Sequence, residues 1–243
     1  MKQGIVIIKI GVSLLKKIKI LLMISLFFNI LFVGSGGIDF VKNHVNAASV
    51  QKSVAYYFTK KSIFEYSKLQ AVDKVFIGDS LTDYGEFHEY YPDEVVLNRG
   101  IRNDVAKGVF HRIDEVVSRD AKEAYLMIGV NDIRYATDRK DFEKHIIAII
   151  KSFEGRDTEL FIQSILPVNN GLYGNTVSNK KVKQFNGVLQ RVAAENGVEY
   201  IDLHASFLDE RGQLDERFTV DGLHLNGEGY QVWTDTLRKQ RKN

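Results

Sequence analysis

Four short polar motifs in the sequence carry side chains that could together transfer an acyl group. They are GDSLTD (78–83), NRG (98–100), GVND (129–132) and DGLHLN (221–226). They supply a hydroxyl, a backbone N–H donor, a side-chain amide and an Asp-x-x-His pair. Such a set contains a nucleophile, a base, an acid that orients the base, and donors for a developing oxyanion. The sequence therefore favours nucleophilic catalysis on a carbonyl group.

The elements that must position these motifs alternate between short apolar runs and longer amphipathic runs. Short apolar runs with little alternation are typical of parallel strands covered on both faces. Five strands are predicted, over 73–78, 94–98, 124–129, 159–165 and 198–203. Helices are predicted over 105–119, 141–153, 178–196 and 228–238. This alternation predicts an α/β fold, a three-layer α/β/α sandwich with a five-stranded parallel sheet.

All four motifs should lie at one edge of that sheet. Three of them follow the first, second and third predicted strands, and DGLHLN precedes the last helix. In open parallel sheets, ligands bind beyond the carboxyl ends of the strands. The sequence therefore predicts a functional site at this edge.

These motifs, in this order, resemble those of the SGNH (GDSL) hydrolase superfamily over roughly residues 72–240. Their spacing is similar to that of platelet-activating-factor acetylhydrolase catalytic subunits and bacterial lysophospholipase-like esterases. The resemblance implies the flavodoxin-like fold of that superfamily. It also implies ester hydrolysis with no metal and no organic cofactor.

The resemblance implies a catalytic triad in this chain. Ser80 matches the nucleophile, and His224 matches the general base. Asp221, three positions before His224, matches the acid that orients the imidazole. Each has a simpler structural alternative, since Ser80 could only cap a helix and Asp221 could only begin a turn. A rival base is His204, because Asp202 lies two positions before it and points the same way on a strand.

The resemblance also implies three oxyanion donors, which are the backbone N–H groups of Ser80 and Gly100 and the side-chain amide of Asn131. Asn131 could instead be only a turn residue. Asp79 and Asp132 are interpreted as hydrogen-bond partners that support the adjacent catalytic positions. One departure is visible after Gly100, where many relatives are glycine-rich. Residues 101–104 are Ile-Arg-Asn-Asp here, which predicts a bulkier and more polar pocket.

Other residues near the motifs have two interpretations. The Gly- and Asn-rich loop 167–177 is expected to shape the substrate site, and Trp233 is expected in the core. Aromatic side chains that follow the nucleophile could belong to the core or line the substrate pocket. These are Tyr84, Phe87, Tyr90 and Tyr91.

The N-terminal residues 1–48 differ from the rest of the chain. They hold six lysines and one acidic residue, and an apolar run extends from Ile20 to Val33. This pattern favours an uncleaved membrane anchor, with a cleaved signal segment as the alternative. Five of these lysines precede the apolar run, which predicts an extracytoplasmic or secreted catalytic domain. The domains are then 1–48, a linker helix over 49–71, and a catalytic domain over 72–243.

Composition removes several other functions. The chain has no cysteine, which excludes a disulfide framework, a thiolate zinc site and a cysteine nucleophile. The residues after 48 are mildly acidic, which disfavours a nucleic-acid partner. The expected function is a serine esterase acting on short acyl or acetyl esters of lipids or glycans at the cell surface. The alternatives are an O-acyltransferase for a surface glycan and a non-catalytic surface-binding module.

Overall fold

The computed structural model describes residues 37–240 of the 243-residue chain. A boundary between two compact units falls between Val54 and Ala55. The unit that begins at Ala55 contains the sheet and all four motifs. The apolar run proposed as an anchor or signal lies outside the described residues. The division at residues 48 and 71 stays a prediction.

The sheet has five parallel strands, as predicted. The strands are β1 (Lys74–Gly78), β2 (Val96–Gly100), β3 (Glu123–Met127), β4 (Glu159–Gln163) and β5 (Glu199–Ile201). Their spatial order is β2-β1-β3-β4-β5. After β1 the chain forms β2 on one side of it and then crosses to the other side to form β3, so the strand order reverses between β1 and β3. A crevice for ligands is expected at the carboxyl ends of strands on either side of such a point.

Helices cover the sheet and join its strands. They are α1 (Gly37–Tyr66), α2 (Ser80–Asp83), α3 (Phe87–Tyr90), α4 (Ala106–Phe110), α5 (Ile113–Val117), α6 (Val130–Arg134), α7 (Arg139–Lys151), α8 (Asn170–Tyr173), α9 (Asn179–Glu195) and α10 (Gly227–Gln240). In the described part of the chain, none of them is both long enough and apolar enough to cross a bilayer.

The core is built from side chains that alternate between the two faces of the sheet. Phe76, Tyr125 and Phe161 are register neighbours on β1, β3 and β4, and their rings stack with centroids 5.1 and 4.9 Å apart. Phe87 of α3 stacks on Phe76, and Trp233 of α10 meets the edge of Phe87. The amphipathic helices α7 and α9 also bury their apolar sides. The predicted α/β/α sandwich is confirmed.

The single helix predicted over 105–119 is wrong, because two short helices, α4 and α5, occupy this stretch. Arg112 lies at the break and is 4% exposed. Its guanidinium donates to the carbonyl oxygens of Arg99 and Gly78, at 2.8 and 3.1 Å, and pairs with Asp104 at 2.9 Å. The chain leaves helical geometry here because this buried cation ties the ends of β1 and β2 to the following turn.

Candidate active site

Ser80 stands at the first position of a short helix that begins where β1 ends. Asp79 precedes it as the N-cap, and its carboxylate accepts the N–H of Leu81 at 3.0 Å. A carboxylate at this position satisfies a backbone donor that the helix leaves unpaired. The cap is therefore Asp79 rather than Ser80, and the Ser80 hydroxyl is available for another partner.

Close packing at the end of β1 fixes the direction of this turn. A Cβ added to Gly78 would lie 2.3 Å from both the Met127 carbonyl oxygen and the Thr82 hydroxyl. Gly78 pairs with Gly100 and Met127 in the sheet register, so β1, β2 and β3 end at the same level. The three loops that carry predicted site residues therefore leave the sheet side by side.

The loop before α10 places an imidazole against the Ser80 hydroxyl. His224 Nε2 lies 3.0 Å from Ser80 Oγ, and His224 Nδ1 lies 2.6 Å from Asp221 Oδ2. A carboxylate only accepts hydrogen bonds, so Nδ1 carries the proton and Nε2 accepts from the hydroxyl. The structure thus brings the three residues of the expected triad into one hydrogen-bonded chain.

Asp221 also organises the backbone of its own loop. Its Oδ1 accepts the N–H groups of Leu223 and His224 at 2.9 and 2.8 Å. Burial opposes ionisation of this carboxyl group, but the hydrogen bonds from His224 and Leu223 lower the pKa of Asp221. It therefore stays anionic and can stabilise an imidazolium on His224.

Loop 167–177 contacts the turn that carries His224, and its expected role in shaping the substrate site stays a prediction. Gly222 has φ +84°, a conformation that favours glycine, and an added Cβ would lie 2.7 Å from the Asn169 carbonyl oxygen. Asn169 N–H donates to the Gly222 carbonyl oxygen at 2.8 Å. The contact fixes the turn between Asp221 and His224.

His204, the rival base, lies elsewhere. It is 8% exposed, and its backbone N–H donates to Ser164 Oγ at 2.8 Å. Burial lowers the pKa of its imidazole, although the Asp202 charge opposes this. It is His224 whose ring contacts Ser80, so the structure favours His224 as the base.

Asn131 lies in the first turn of α6, directly beyond β3, and is 3% exposed. Its Nδ2 donates to the Asp104 carbonyl oxygen at 3.0 Å. An amide nitrogen carries two hydrogens, so this bond orients the group and leaves a second N–H to donate. The position agrees with an oxyanion donor across the β1–β3 crevice from Ser80.

Gly100 lies at the end of a strand, and its N–H already has a partner. It is the last residue of β2 rather than part of the following loop, and its N–H donates to Asn98 Oδ1 at 2.8 Å. Asn98 Nδ2 also donates to the carbonyl oxygens of Thr82 and Gly85. An added Cβ on Gly100 would lie 2.1 Å from the Asp83 nitrogen. The NRG motif therefore joins β2 to the nucleophile helix, and the role of Gly100 as an oxyanion donor stays a prediction.

Three buried carboxyl groups surround the turn that carries Ser80. Burial, together with the charges of Asp104 and Asp132, raises the pKa of Asp79 to about 7. Burial raises the pKa of Asp132 to about 6, although the hydrogen bond from the Ala106 N–H, at 3.0 Å, acts to lower it. Burial also raises the pKa of Asp104, although Arg112 opposes it. With this pKa, Asp79 is about half-protonated at neutral pH, so it adds less negative charge beside the nucleophile than an ordinary aspartate does.

Asp79 and Asp132 were both expected to support the catalytic positions. Asp79 holds the turn at Ser80 through Leu81, as described above. Asp132 instead fixes the start of α4 through Ala106. Among the described residues, no group of three or more His, Asp and Glu side chains is arranged to hold a metal ion.

The aromatic residues that follow Ser80 divide between the two interpretations. Phe87 and Tyr91 are 1% and 5% exposed and belong to the core, and Tyr90 packs against it. Tyr84 is 44% exposed, and its ring centroid lies 5.0 Å from that of His224. Tyr84 therefore forms part of the mouth of the site. Trp233 is fully buried, as expected.

Sequence reasoning missed the contribution of α1 to this mouth. Tyr56 donates to Asp83 Oδ2 at 2.5 Å, and Lys60 pairs with Asp83 Oδ1 at 2.7 Å. Arg102, in the turn after β2, lies over the Tyr56 ring at 3.8 Å. Nothing in the local pattern of residues 55–66 indicates these contacts, since they join parts of the chain far apart in sequence.

Comparison with known proteins gives one family and a set of distant relatives. The model of the GDSL-like Lipase/Acylhydrolase family matches residues 76–232. An N-acylneuraminate cytidylyltransferase of Streptococcus agalactiae is 23% identical over 185 residues, which are 71% of this chain and 42% of that protein. The chain thus spans less than half the length of this relative.

Two further proteins are similar over most of their own length. An isoamyl acetate-hydrolyzing esterase of Saccharomyces cerevisiae is 22% identical over 170 residues, covering 63% of this chain and 71% of the esterase. A solved structure from Streptococcus pneumoniae, proposed to be a platelet activating factor, superposes with a TM-score of 0.72 at 26% identity. It covers 81% of this chain and 95% of that chain.

Proposed function

The chain belongs to the GDSL-like lipase/acylhydrolase family, and from that premise we propose that it is a serine esterase that uses Ser80, His224 and Asp221. The observation that carries this proposal is the continuous hydrogen-bonded chain from Asp221 through His224 to Ser80 Oγ. It stands at the carboxyl edge of the sheet, where parallel α/β folds bind their ligands.

In the acylation step, Ser80 Oγ attacks the carbonyl carbon of the ester. His224 Nε2 takes the hydroxyl proton, and Asp221 stabilises the imidazolium and holds its tautomer. The bond to the alcohol oxygen then breaks as Nε2 returns the proton to that oxygen. Water deacylates Ser80 through the same exchange of a proton with His224.

The oxyanion that develops on the carbonyl is met by two donors. The second N–H of the Asn131 amide is one of them, because the first is held by the Asp104 carbonyl. The Ser80 N–H is the other, since it lies in the first turn of α2, where backbone N–H groups have no intrahelical acceptor. Donors fixed before the reaction stabilise the transition state without reorganising.

We expect a short acyl group. Ser80 and Asn131 are 7% and 3% exposed, so the reacting carbonyl would lie in a largely buried position. The alcohol part would extend past Tyr84, which is 44% exposed. The yeast relative named for isoamyl acetate is consistent with a short acyl group. Suitable substrates are acetyl or other short acyl esters of lipids or glycans.

The proposed place of action is the outer side of the cell membrane. It rests on the lysine-rich, apolar N-terminal sequence, which precedes the described residues. Cell fractionation with external protease tests it. The full-length chain should sediment with membranes while its catalytic domain is digested from outside, and recovery of the intact chain in the cytoplasm would refute it.

The esterase proposal is tested with p-nitrophenyl acetate and the full-length chain. The wild type should show a burst of one p-nitrophenolate released per enzyme molecule, as one acetyl group is transferred to Ser80. Ser80→Ala should show neither burst nor turnover. A fluorophosphonate should label the wild type on Ser80 alone. Near-wild-type turnover by a folded Ser80→Ala variant would refute the nucleophile. Adding a glycan acceptor separates hydrolysis from acyl transfer, and absence of both reactions would leave only a binding function.

A further inference from the structure

A guanidinium group stands at the mouth of the candidate site without a role in the mechanism above. The side chain of Arg102 is 41% exposed. Its guanidinium carbon lies 3.8 Å from the centroid of the Tyr56 ring and 5.7 Å from that of Tyr84. Aromatic faces hold a guanidinium by its plane. The Arg102 guanidinium also hydrogen-bonds the side chains of Tyr56 and Tyr84, and since it carries five N–H donors, others remain to donate. Arg102 is therefore held in position while much of it faces solvent.

The charge of Arg102 is not cancelled by its surroundings. The nearest carboxylate is Asp83, whose side chain is 3% exposed. Asp83 already pairs with Lys60 at 2.7 Å and accepts from the Tyr56 hydroxyl at 2.5 Å, whereas Arg102 Nε approaches it only to 3.5 Å. Two cations thus share one carboxylate, and the excess positive charge lies on the more exposed group.

The phenol of Tyr56 keeps this arrangement stable over the physiological range. Burial and the hydrogen bond to Asp83 raise the pKa of Tyr56 to about 12, although the charge of Arg102 opposes them. Tyr56 therefore stays a neutral donor to Asp83 and does not add a negative charge under the Arg102 guanidinium.

One aromatic ring separates this charge from the catalytic base. The Tyr84 ring is 5.7 Å from the Arg102 guanidinium carbon and its centroid is 5.0 Å from that of His224. Tyr84 and Arg102 together form one wall of the mouth, on the side of α2. A substrate whose carbonyl reaches Ser80 would place its alcohol part along the mouth, within reach of this wall.

We propose that Arg102 binds an anionic group, a carboxylate or a phosphate, on the alcohol part of the ester substrate. This inference rests on the proposed esterase function and specifies its substrate class. A guanidinium offers paired N–H donors that match the oxygens of both groups. The Arg102 side chain is already restricted by packing on the Tyr56 ring, so it loses less conformational entropy when it binds an anion.

Three aryl acetates that differ in the para substituent and its charge provide the test, and comparing each variant with the wild type cancels the difference in leaving group. They are methyl 4-acetoxybenzoate, 4-acetoxybenzoate and 4-acetoxyphenyl phosphate, which are neutral, a carboxylate and a phosphate. The full-length wild type should show a higher kcat/KM for at least one anionic ester than for the neutral ester. In Arg102→Gln that ratio should fall about tenfold, through KM rather than kcat, as expected for loss of a charge-assisted hydrogen bond at a part-exposed site.

Two further variants make the result specific. Arg102→Lys keeps the charge without the paired donors and should give an intermediate ratio. Arg156→Gln is the matched control, since Arg156 is 48% exposed and precedes β4, at the opposite edge of the sheet. It should leave the ratio unchanged. The anionic ester whose kcat/KM falls more in Arg102→Gln shows whether the site prefers a carboxylate or a phosphate.

The two proposals fail in different ways. If the wild type hydrolyses none of the esters, the esterase function fails. If the wild type hydrolyses the neutral ester and Arg102→Gln leaves the ratio of anionic to neutral kcat/KM as it was, the anion site is refuted and the esterase stands. An equal fall of the ratio in Arg156→Gln would also refute the site, because the effect would then come from net charge alone.

Discussion

Charged side chains lie both where the strands begin (the amino edge) and where they end (the carboxyl edge), but they are paired differently at the two places. At the amino-end edge, Lys74 pairs with Glu123 at 2.9 Å and also with Glu94, and Lys122 pairs with Asp73 at 2.7 Å. At the carboxyl-end edge, Asp79 and Asp132 are buried without a basic partner among the described residues. Their pKa values are raised to about 7 and about 6.

The difference separates charges that support the fold from charges that support chemistry. Paired charges at the amino edge neutralise one another and lose little by being partly buried. The carboxyl edge keeps buried polar groups whose hydrogen-bonding capacity is not fully used, such as Asp79 Oδ2. Such groups cost stability, and they are concentrated at sites where reacting groups must be held in position.

The largest effect expected at the carboxyl edge comes from removing the base. His224→Ala should lower kcat by about 10⁴-fold or more, because Ser80 loses the acceptor for its proton. The measurement is steady-state kinetics on a short acyl ester. His204→Ala is the matched control and should change kcat little, since His204 holds Ser164 through its backbone N–H, which alanine retains. The reverse ranking would make His204 the base.

The next effect concerns Asn131 and transition-state charge. Asn131→Ala should lower kcat by roughly 10²–10³, with KM changed little, because its free N–H meets a charge that develops only during attack. Asn131→Asp should be at least as harmful, since a carboxylate repels the oxyanion. A rise in KM at unchanged kcat would show that Asn131 only holds the substrate.

A smaller effect links the carboxyl edge to pH. Folded Asp79 keeps its proton up to about pH 7, whereas an ordinary Asp loses it near 3.8. The folded state then binds more protons between these values, so the free energy of unfolding falls as pH rises from about 4 to about 7. Asp79→Asn cannot titrate and should escape this loss.

Urea unfolding of the wild type and Asp79→Asn at pH 4.5 and pH 8 measures the effect. The stability of the wild type relative to the variant should fall by about 3 kcal/mol between the two pH values. Asn retains an oxygen for the Leu81 N–H, so the cap itself is preserved. A difference that is the same at both pH values would show that Asp79 is ionised throughout.

The smallest effect is expected at the amino edge. Lys74→Met should lower the free energy of unfolding by about 1 kcal/mol, because it leaves Glu94 and Glu123 without their shared partner in a part-buried position. Turnover should stay as in the wild type. Lys122→Met is the control, since the Lys122 side chain is 78% exposed and its pair with Asp73 is screened by water. A loss of kcat in Lys74→Met would contradict the inference that charges at the amino edge support the fold and not the reaction.

Most of the framework of the site could be predicted from the sequence. The five strands are local apolar runs, and the rule that parallel sheets bind ligands at their carboxyl ends placed Ser80, Asn131 and the Asp221–His224 pair at one edge. The helix break at Arg112 could not be predicted in this way. Its cause is a set of hydrogen bonds to Gly78 and Arg99, which are distant in sequence.

Gly100 shows why the position of a motif residue in the fold cannot be predicted from the motif alone. Its position after a strand depended on where β2 ends, and a shift of two residues moved the whole NRG motif into the strand. Strand ends are set by pairing with the neighbouring strand, here Gly78 opposite Gly100, and a single chain segment does not contain that information.

The sequence by itself determined the fold class, the family resemblance and the three residues of the proposed triad, because these depend on local apolar periodicity and short motifs. Only the tertiary structure decided which histidine contacts Ser80, that Asp79 is buried enough to hold a proton near neutral pH, and that Tyr56 and Arg102 form part of the mouth. The physical reason is that hydrogen bonding, burial and charge pairing depend on distances between groups far apart in the chain. Those distances exist only after β1, β3 and the loop before α10 have come together.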